Sequence, residues 1–376
     1  MKRRWGKWPK KEPASPFALA LLGCLALVHL LFLWFFPVGN NNSLGPKMLE
    51  AANEMARAVE LIKDCRLEAG LPLDPSDDPN GTGLIGVRRS IITTTLGSLE
   101  AKRTSTNPNL AALMVYFFDR LHLQPGDGVA IGASASFPAA LVATLAAVRV
   151  LKLKPLIIFS LGASQWGANI PQFTLAHIYQ CLQRSNFVQE EPLAVTLGGE
   201  RDAGLDMPSE GRDLLRRQII ATGWYSFREP NLAANVARRL SLYQEGAGSW
   251  EKIKVFVNIG GSYANLGTDA RVLSLRPGLN RGAFSSFGNR GGVIQAMAAR
   301  HIPIIHLLYF RGLAAEYGLD WDPLPLPPPG KSRLFRELRF RDKRFLWLNL
   351  IYLSLVFLGG VSQLIKNYRR DLITPR

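Results

Sequence analysis

The sequence predicts an α/β fold: an open, mainly parallel, Rossmann-like sheet with flanking helices, plus one N-terminal and one C-terminal transmembrane helix. Three observations predict it. Short apolar runs alternate with helical stretches along the body, the pattern of parallel strands joined by helical crossovers. One stretch, GDGVAIGASASFPAALVATLAAVRVLKLKPLIIFSLGASQWGAN from Gly126 to Asn169, reads as a complete βαβ unit. Two uncharged stretches about as long as a bilayer is thick, Phe17–Phe36 and Phe345–Ile365, flank the body.

Within the central unit, Val129–Ala133 is a short apolar run of the kind a buried strand shows. Phe137–Leu151 is rich in Ala, Leu and Val, with Pro138 in the first turn, where its missing N–H costs no hydrogen bond. Lys154-Pro155 ends that helix, and Leu156–Ser160 is the second strand, made a parallel neighbour of the first by the crossover. Two polar, small-residue loops follow the strands: GASAS, Gly132–Ser136, and SLGASQWGAN, Ser160–Asn169. In an open parallel sheet both leave the carboxyl ends, where ligands bind.

The formal net charge of +16 suggests nucleic acid until it is located. Residues 1–16 carry +5 of it and residues 331–376 carry +8, which leaves +3 for the body. A nucleic-acid patch belongs on the folded domain, among aromatic or base-reading residues. Charge that flanks apolar stretches is the membrane pattern, so a membrane rather than nucleic acid is the expected partner. Six cations precede Phe17–Phe36 and only Lys47 and Arg57 follow it closely, which puts the N-terminus in the cytoplasm and the body outside. Bulky Phe35-Phe36 before Pro37 offers no small-residue cleavage site, so the segment reads as an uncleaved anchor. Seven cations precede Phe345–Ile365 and four follow, which locally favours the opposite orientation; the first helix is given the greater weight. The expected organisation is a basic tail (1–16), an anchor (17–38), an extracytoplasmic body (44–322), a Pro-rich basic linker (323–344), a second membrane helix (345–365) and a basic tail (366–376). The expected location is the cytoplasmic membrane, crossed twice.

Along the body, Pro46–Glu68 has Leu49, Ala52, Ala56, Val59 and Ile62 at helical spacing, and reads as an amphipathic helix packing on the sheet. Leu84–Thr95 is β-branched and reads as a strand. Glu100, Lys102 and Arg103 follow it, just before a helix that Asn107 can cap and Pro108 can open. Basic groups beside a helix N-terminus suit an anionic ligand, although a solvated charged loop explains the same residues. Helices are expected over Pro171–Ser185, Gly211–Ala221, Asn231–Tyr243 and Gly292–Arg300, and strands over Leu193–Leu197, Lys254–Ile259 and Ile302–Leu308. Gly260–Gly291, rich in Gly, Ser and Asn, reads as one long loop, and loops of that length are usually functional or disordered. It holds Arg271, Arg276, Arg281 and Arg290 against one acid, Asp269; arginine's planar fork matches carboxylates, while a solvated loop is the plain alternative. Pro323–Pro329 reads as a stiff spacer. Cys65 and Cys181 are either a disulfide or two buried thiols, and no spacing suggests a metal site.

GASAS lacks the closing Gly of the nucleophile elbow, and neither a P-loop nor GxGxxG is present, so no cofactor is expected. Ser134 or Ser136 is a candidate nucleophile, although helix capping explains Ser136. A serine mechanism needs a base, and Lys102 and Glu100 are the candidates. The five histidines are scattered and read as structural.

TTTLGSLEAKRTSTNPNLAAL, GDGVAIGASASFPA and SLGASQWGAN together resemble the family of poly-γ-glutamate system proteins, and NIGGSYANLG does so more loosely. The resemblance spans Leu84–Asn169. It implies a part in the synthesis or export of poly-γ-glutamate, a capsule-like anionic polymer, with the polymer and synthase subunits as partners. It carries over no catalytic residues. The leading expectation is a membrane-anchored accessory component that binds polymer or synthase; the alternative is a Ser-dependent amidase or transferase that cuts or releases γ-glutamyl chains. Loop position gives the site residues: Ser134, Ser136, Lys102 and Glu100 as catalytic candidates, and Arg103, Ser164, Asn169, Ser262, Arg276, Arg281 and Arg290 as ligand-binding ones. Converging Ser, Lys and Glu side chains would favour the enzyme; a wide basic groove would favour the binder.

Overall fold

The apolar runs assemble into a six-stranded sheet in a computed structural model that describes residues 23–29, 44–282, 290–340, 349–362 and 365. The chain divides into a body, Ser43–Glu337, and a second unit made of the two chain ends. The strands of this sheet are β1 (Gly128–Ser134), β2 (Lys154–Ser160), β3 (Ala194–Thr196), β4 (Ile253–Ile259), β5 (Gly278–Asn280) and β6 (Ile304–Leu307). They lie in the order β3-β2-β1-β4-β6-β5, all parallel except the edge strand β5, which runs antiparallel to β6. The mainly parallel sheet agrees with the expectation. Its order reverses between β1 and β4, and ligands of open α/β sheets bind outside the carboxyl ends at such a switch point.

β1 is buried at every residue because both its faces are covered, which is why it reads as a continuous apolar run and not as an alternation. On one face α4 (Pro138–Val150) lies under α1 (Leu44–Glu68) and α3 (Asn109–Arg120). α4 is buried from Pro138 to Val148, as befits a helix apolar all round. On the other face α7 (Leu232–Ala247) and α9 (Val293–Ala298) pack Val236, Tyr243, Val293 and Met297 against Ala130, Leu156 and Phe256. The buried Tyr243 hydroxyl donates to Ile131 O at 2.9 Å, so its burial leaves no donor unmade.

Leu84–Thr95 is not a strand. It crosses the end of the sheet as irregular chain, held by one bridge between Thr93 and Ala163 and by side chains standing in for a neighbouring strand. Asn169 Oδ1 accepts from Val87 N (2.9 Å), Asn169 Nδ2 donates to Val87 O (2.7 Å), and Ser90 Oγ donates to Asn169 O (2.6 Å). β-branched composition measures fit to a pleated, half-buried surface, and here an asparagine meets that demand. Gly260–Gly291 is not one open loop either: it holds the short helix α8 (Tyr263–Leu266), a 3₁₀ turn (Ala270–Ser274) and β5, and residues 283–289 lie outside the described ones. The proline stretch is strapped to the body: Asn80 Nδ2 donates to Pro323 O (3.0 Å), and Asn109 Oδ1 accepts from Gly330 N (2.8 Å).

Cys65, at the end of α1, and Cys181, in α5 (Leu175–Arg184), form a disulfide. The bridge closes a separation of 116 residues, so chain entropy assigns it about 4–5 kcal/mol. Replacing both cysteines by serine is expected to lower the unfolding free energy by about 2–4 kcal/mol in urea titrations; no change would show that the unfolded chain is not constrained by the bridge.

The two membrane helices are corrected. Among the described residues no helix is long and apolar enough to cross a membrane. The described helical residues of Phe17–Phe36 and Phe345–Ile365 are 23–29, 349–362 and 365. The rest of both stretches and both basic tails lie outside the described residues. The two-pass location and the outward orientation of the body were inferred from those helices and lose their basis with them.

Candidate functional site

At the carboxyl edge of the sheet, beside the switch point, lies a cavity of about 750 Å³. Its walls come from four places: the crossing segment with α2 (Leu99–Ser105), the loops after β1 and β2, the loop after β3, and the loops after β4 and β6. Ser134, Ser136, Ser164, Lys102, Glu100 and Ser262 all line it.

Lys102 is the centre. It sits on α2, is 2 % exposed, and points its Nζ inward, where it donates to Ser136 O at 2.5 Å and to Ser164 Oγ at 2.8 Å. Burial alone pulls its pKa from 10.5 down to about 7, so near neutrality a large share is the free amine. In the ammonium form Nζ donates to Ser164; in the amine form the hydroxyl donates to the Nζ lone pair. A serine hydroxyl at hydrogen-bond distance from a lysine poised near pH 7 has the geometry that a nucleophile and a general base require. Phe137, whose ring centroid lies 3.7 Å from Nζ, helps exclude water from the pair.

The loop around Ser164 is pinned on three sides. Leu161 and Gly162 donate to Thr196 O and Leu197 O, Gln165 N donates to Thr95 O (3.0 Å), and Ser164 N donates to Ser136 Oγ (3.0 Å). Gly162 is required by close approach: a Cβ there would stand 2.8 Å from Thr94 Cγ2 and 2.9 Å from Leu197 O. The amino end of α4 lies immediately after Ser136, and its partial positive charge suits an oxyanion forming beside Ser164.

The candidates therefore separate. Lys102 meets Ser164, which was expected only to bind ligand, and Ser136 supplies a carbonyl and an acceptor hydroxyl to hold that pair. Ser134 lines the cavity with its hydroxyl turned to Ile259 O at 3.4 Å. Glu100 lines the cavity on the exposed side and accepts from Ser98 Oγ (2.7 Å), which holds its carboxyl below the ordinary range. Arg103 lies outside the cavity lining and pairs through two 2.6 Å bonds with Asp322. Asn169 is fully buried and spends its side chain on Val87 and Thr93.

Arg276 and Arg281 line a separate cavity of about 460 Å³ together with Arg271, while Arg290 is exposed and lies 3.7 Å from Asp269. Those arginines do not join the Lys102 site. Ser160, Glu200, Asp206, Tyr309, Arg311 and Trp321 also line the main cavity, and none of them was among the residues expected from sequence. The Gly198-Gly199 pair after β3, both at positive φ, marked a special loop there and was the one available signal for Glu200 and Asp206. Among the described residues no group of three or more His, Cys, Asp or Glu could hold a metal.

No family model, curated protein or solved structure matches this chain. The resemblance to poly-γ-glutamate system proteins stands on the motifs quoted for it alone.

Proposed function

We propose that the protein is a serine-dependent amidase or transferase acting on γ-glutamyl chains, with Ser164 as nucleophile and Lys102 as its base. The observation that carries this is the 2.8 Å contact between a buried Lys102 Nζ and Ser164 Oγ. The γ-glutamyl part rests on the motif resemblance. Ser164 Oγ attacks the amide carbon as its proton passes to Lys102 Nζ. The C–N bond then breaks, the Lys102 ammonium returns that proton to the departing amine, and an acyl ester on Ser164 remains. Water or a second amine takes the acyl group, with Lys102 again removing the proton, which gives hydrolysis or transfer.

A second reading is favoured by the arginine-lined cavity at Arg276 and Arg281: an accessory component that binds the anionic polymer without cutting it. One experiment separates the two. Purified protein incubated with poly-γ-glutamate is expected to shorten it, at a rate that rises with pH through a midpoint near 7, because only the neutral amine of Lys102 accepts the serine proton. Binding with no change in chain length at any pH would reject the enzyme and support the binder.

A further inference from the structure

Across the cavity wall from Lys102, the loop after β3 presents two carboxylates, Glu200 and Asp206, that form no ion pair among the described residues. The loop is built to hold them there. Gly199, at φ 67°, brings its backbone so close to Asp206 that a Cβ would stand 2.2 Å from Asp206 Oδ1. Asp202, between the two acids in sequence, is anchored below by a buried ion pair with Arg239 at 2.7 Å. Asp206 stays accessible from the cavity, yet its carboxyl is held above the ordinary range, first by partial burial and also by the like charge of Glu200.

A second observation comes from the floor of the same cavity. Ser160, at the end of β2, is 1 % exposed and its hydroxyl has no hydrogen-bond partner among the described residues. It lies at the foot of the acidic loop, 2.8 Å from where a Cβ on Gly198 would be. A buried hydroxyl left unpaired costs about 1–3 kcal/mol, so a ligand polar group that meets it is favoured. Two carboxylates with a hydroxyl, and among the described residues no third acid or histidine grouped with them to hold a metal, fit an organic ammonium.

We infer that Glu200, Asp206 and Ser160 form an ammonium subsite that receives the free α-amino group of a terminal γ-glutamyl unit. The chain is then cut or transferred from its amino end. This rests on the assignment of Ser164 as nucleophile. Both groups line the same cavity. A Cβ on Gly162 would lie 3.4 Å from Gly199 N, which puts the start of the acidic loop within about 13 Å of the Ser164 Cα at about 3.8 Å per residue. In a γ-glutamyl unit the ammonium is four bonds from the scissile carbonyl carbon, so the subsite requires the ammonium and the nucleophile to be one glutamate side chain apart.

The test compares γ-glutamyl-p-nitroanilide with its N-acetyl form, which keeps the carboxylate and loses the ammonium. The wild-type protein is expected to prefer the free amine in kcat/KM by about tenfold or more, the effect of one charge-assisted contact. That ratio should fall to near one in Glu200→Gln/Asp206→Asn. Equal rates in the wild type, or a preference that survives the double substitution, would overturn the subsite. Calorimetric binding of both compounds to Ser164→Ala reads the same preference without turnover. If the wild type cleaves neither compound but Ser164→Ala binds the free amine tenfold tighter, the nucleophile assignment fails and the subsite stands. Equal affinities, or binding of neither, remove the subsite.

Discussion

Ser164→Ala is expected to lower kcat for γ-glutamyl chain cleavage by roughly a thousandfold or more, because the acyl ester cannot form without its hydroxyl. Lys102→Met should cost about 10²- to 10⁴-fold, the usual contribution of a positioned base. The double variant should be no worse than the poorer single one, since the two groups act as a unit. Stability should move the other way. The pKa of Lys102 falls on folding, so between about pH 7 and 10.5 the unfolded chain holds a proton that the folded chain has released. Stability therefore rises with pH across that window, and Lys102→Met removes the dependence. A shift from 10.5 to about 7 corresponds to roughly 5 kcal/mol at about 1.36 kcal/mol per unit. Ser136 O, Ser164 Oγ and the Phe137 ring all favour the ammonium, so the expected gain for Lys102→Met is about half of that or less. An inactive but more stable Lys102→Met protein marks a residue retained for chemistry. If it keeps more than about a tenth of wild-type activity, a margin far smaller than any base contributes, Lys102 is not the base.

Arg239→Met is expected to destabilise the body by about 3–5 kcal/mol, because it strands a buried carboxylate. Arg239 and Asp202 are paired at 2.7 Å with side chains 1 % and 2 % exposed. Arg239 also donates to Asn235 Oδ1 (2.8 Å) and Thr196 Oγ1 (3.0 Å), while Asp202 accepts from Thr196 Oγ1 (2.9 Å) and Asn235 Nδ2 (3.0 Å). Every member has a partner, so breaking one bond exposes the others to a cost. Adding Asp202→Asn, which removes the charge and tolerates the backbone φ of 57° there, should recover part of the loss. The network ties α7, β3 and the acidic loop together. The double variant, even when folded, should therefore raise KM for a free-amine γ-glutamyl substrate more than it lowers kcat. A destabilisation under about 1 kcal/mol for Arg239→Met would show the pair is hydrated and not the anchor of that loop.

The alternation of strands and helices was legible in the sequence, because burial pattern and chain breakers are local: Val129–Ala133 and Leu156–Ser160 read as inner strands, and Phe137–Leu151 as a buried helix. That was enough to bring Ser134, Ser136 and Ser164 to one edge; Lys102 reaches it on α2, after a crossing segment that is not the expected strand. The sequence did not determine which serine faces the lysine. That depends on a bridge between Thr93 and Ala163 and on Ser136 Oγ holding Ser164 N, contacts of about 3 Å between residues far apart in the chain. Arg103 and Asn169 looked equally fit for a ligand, and only the packed structure gave them Asp322 and Val87 as partners. Tertiary contact likewise joined Cys65 to Cys181 and drew β5 out of an apparent loop. Neither Glu200 nor Asp206 was legible in the sequence as a site residue. Their place in the cavity wall comes from the position of β3 beside β2, a pairing that no local pattern encodes.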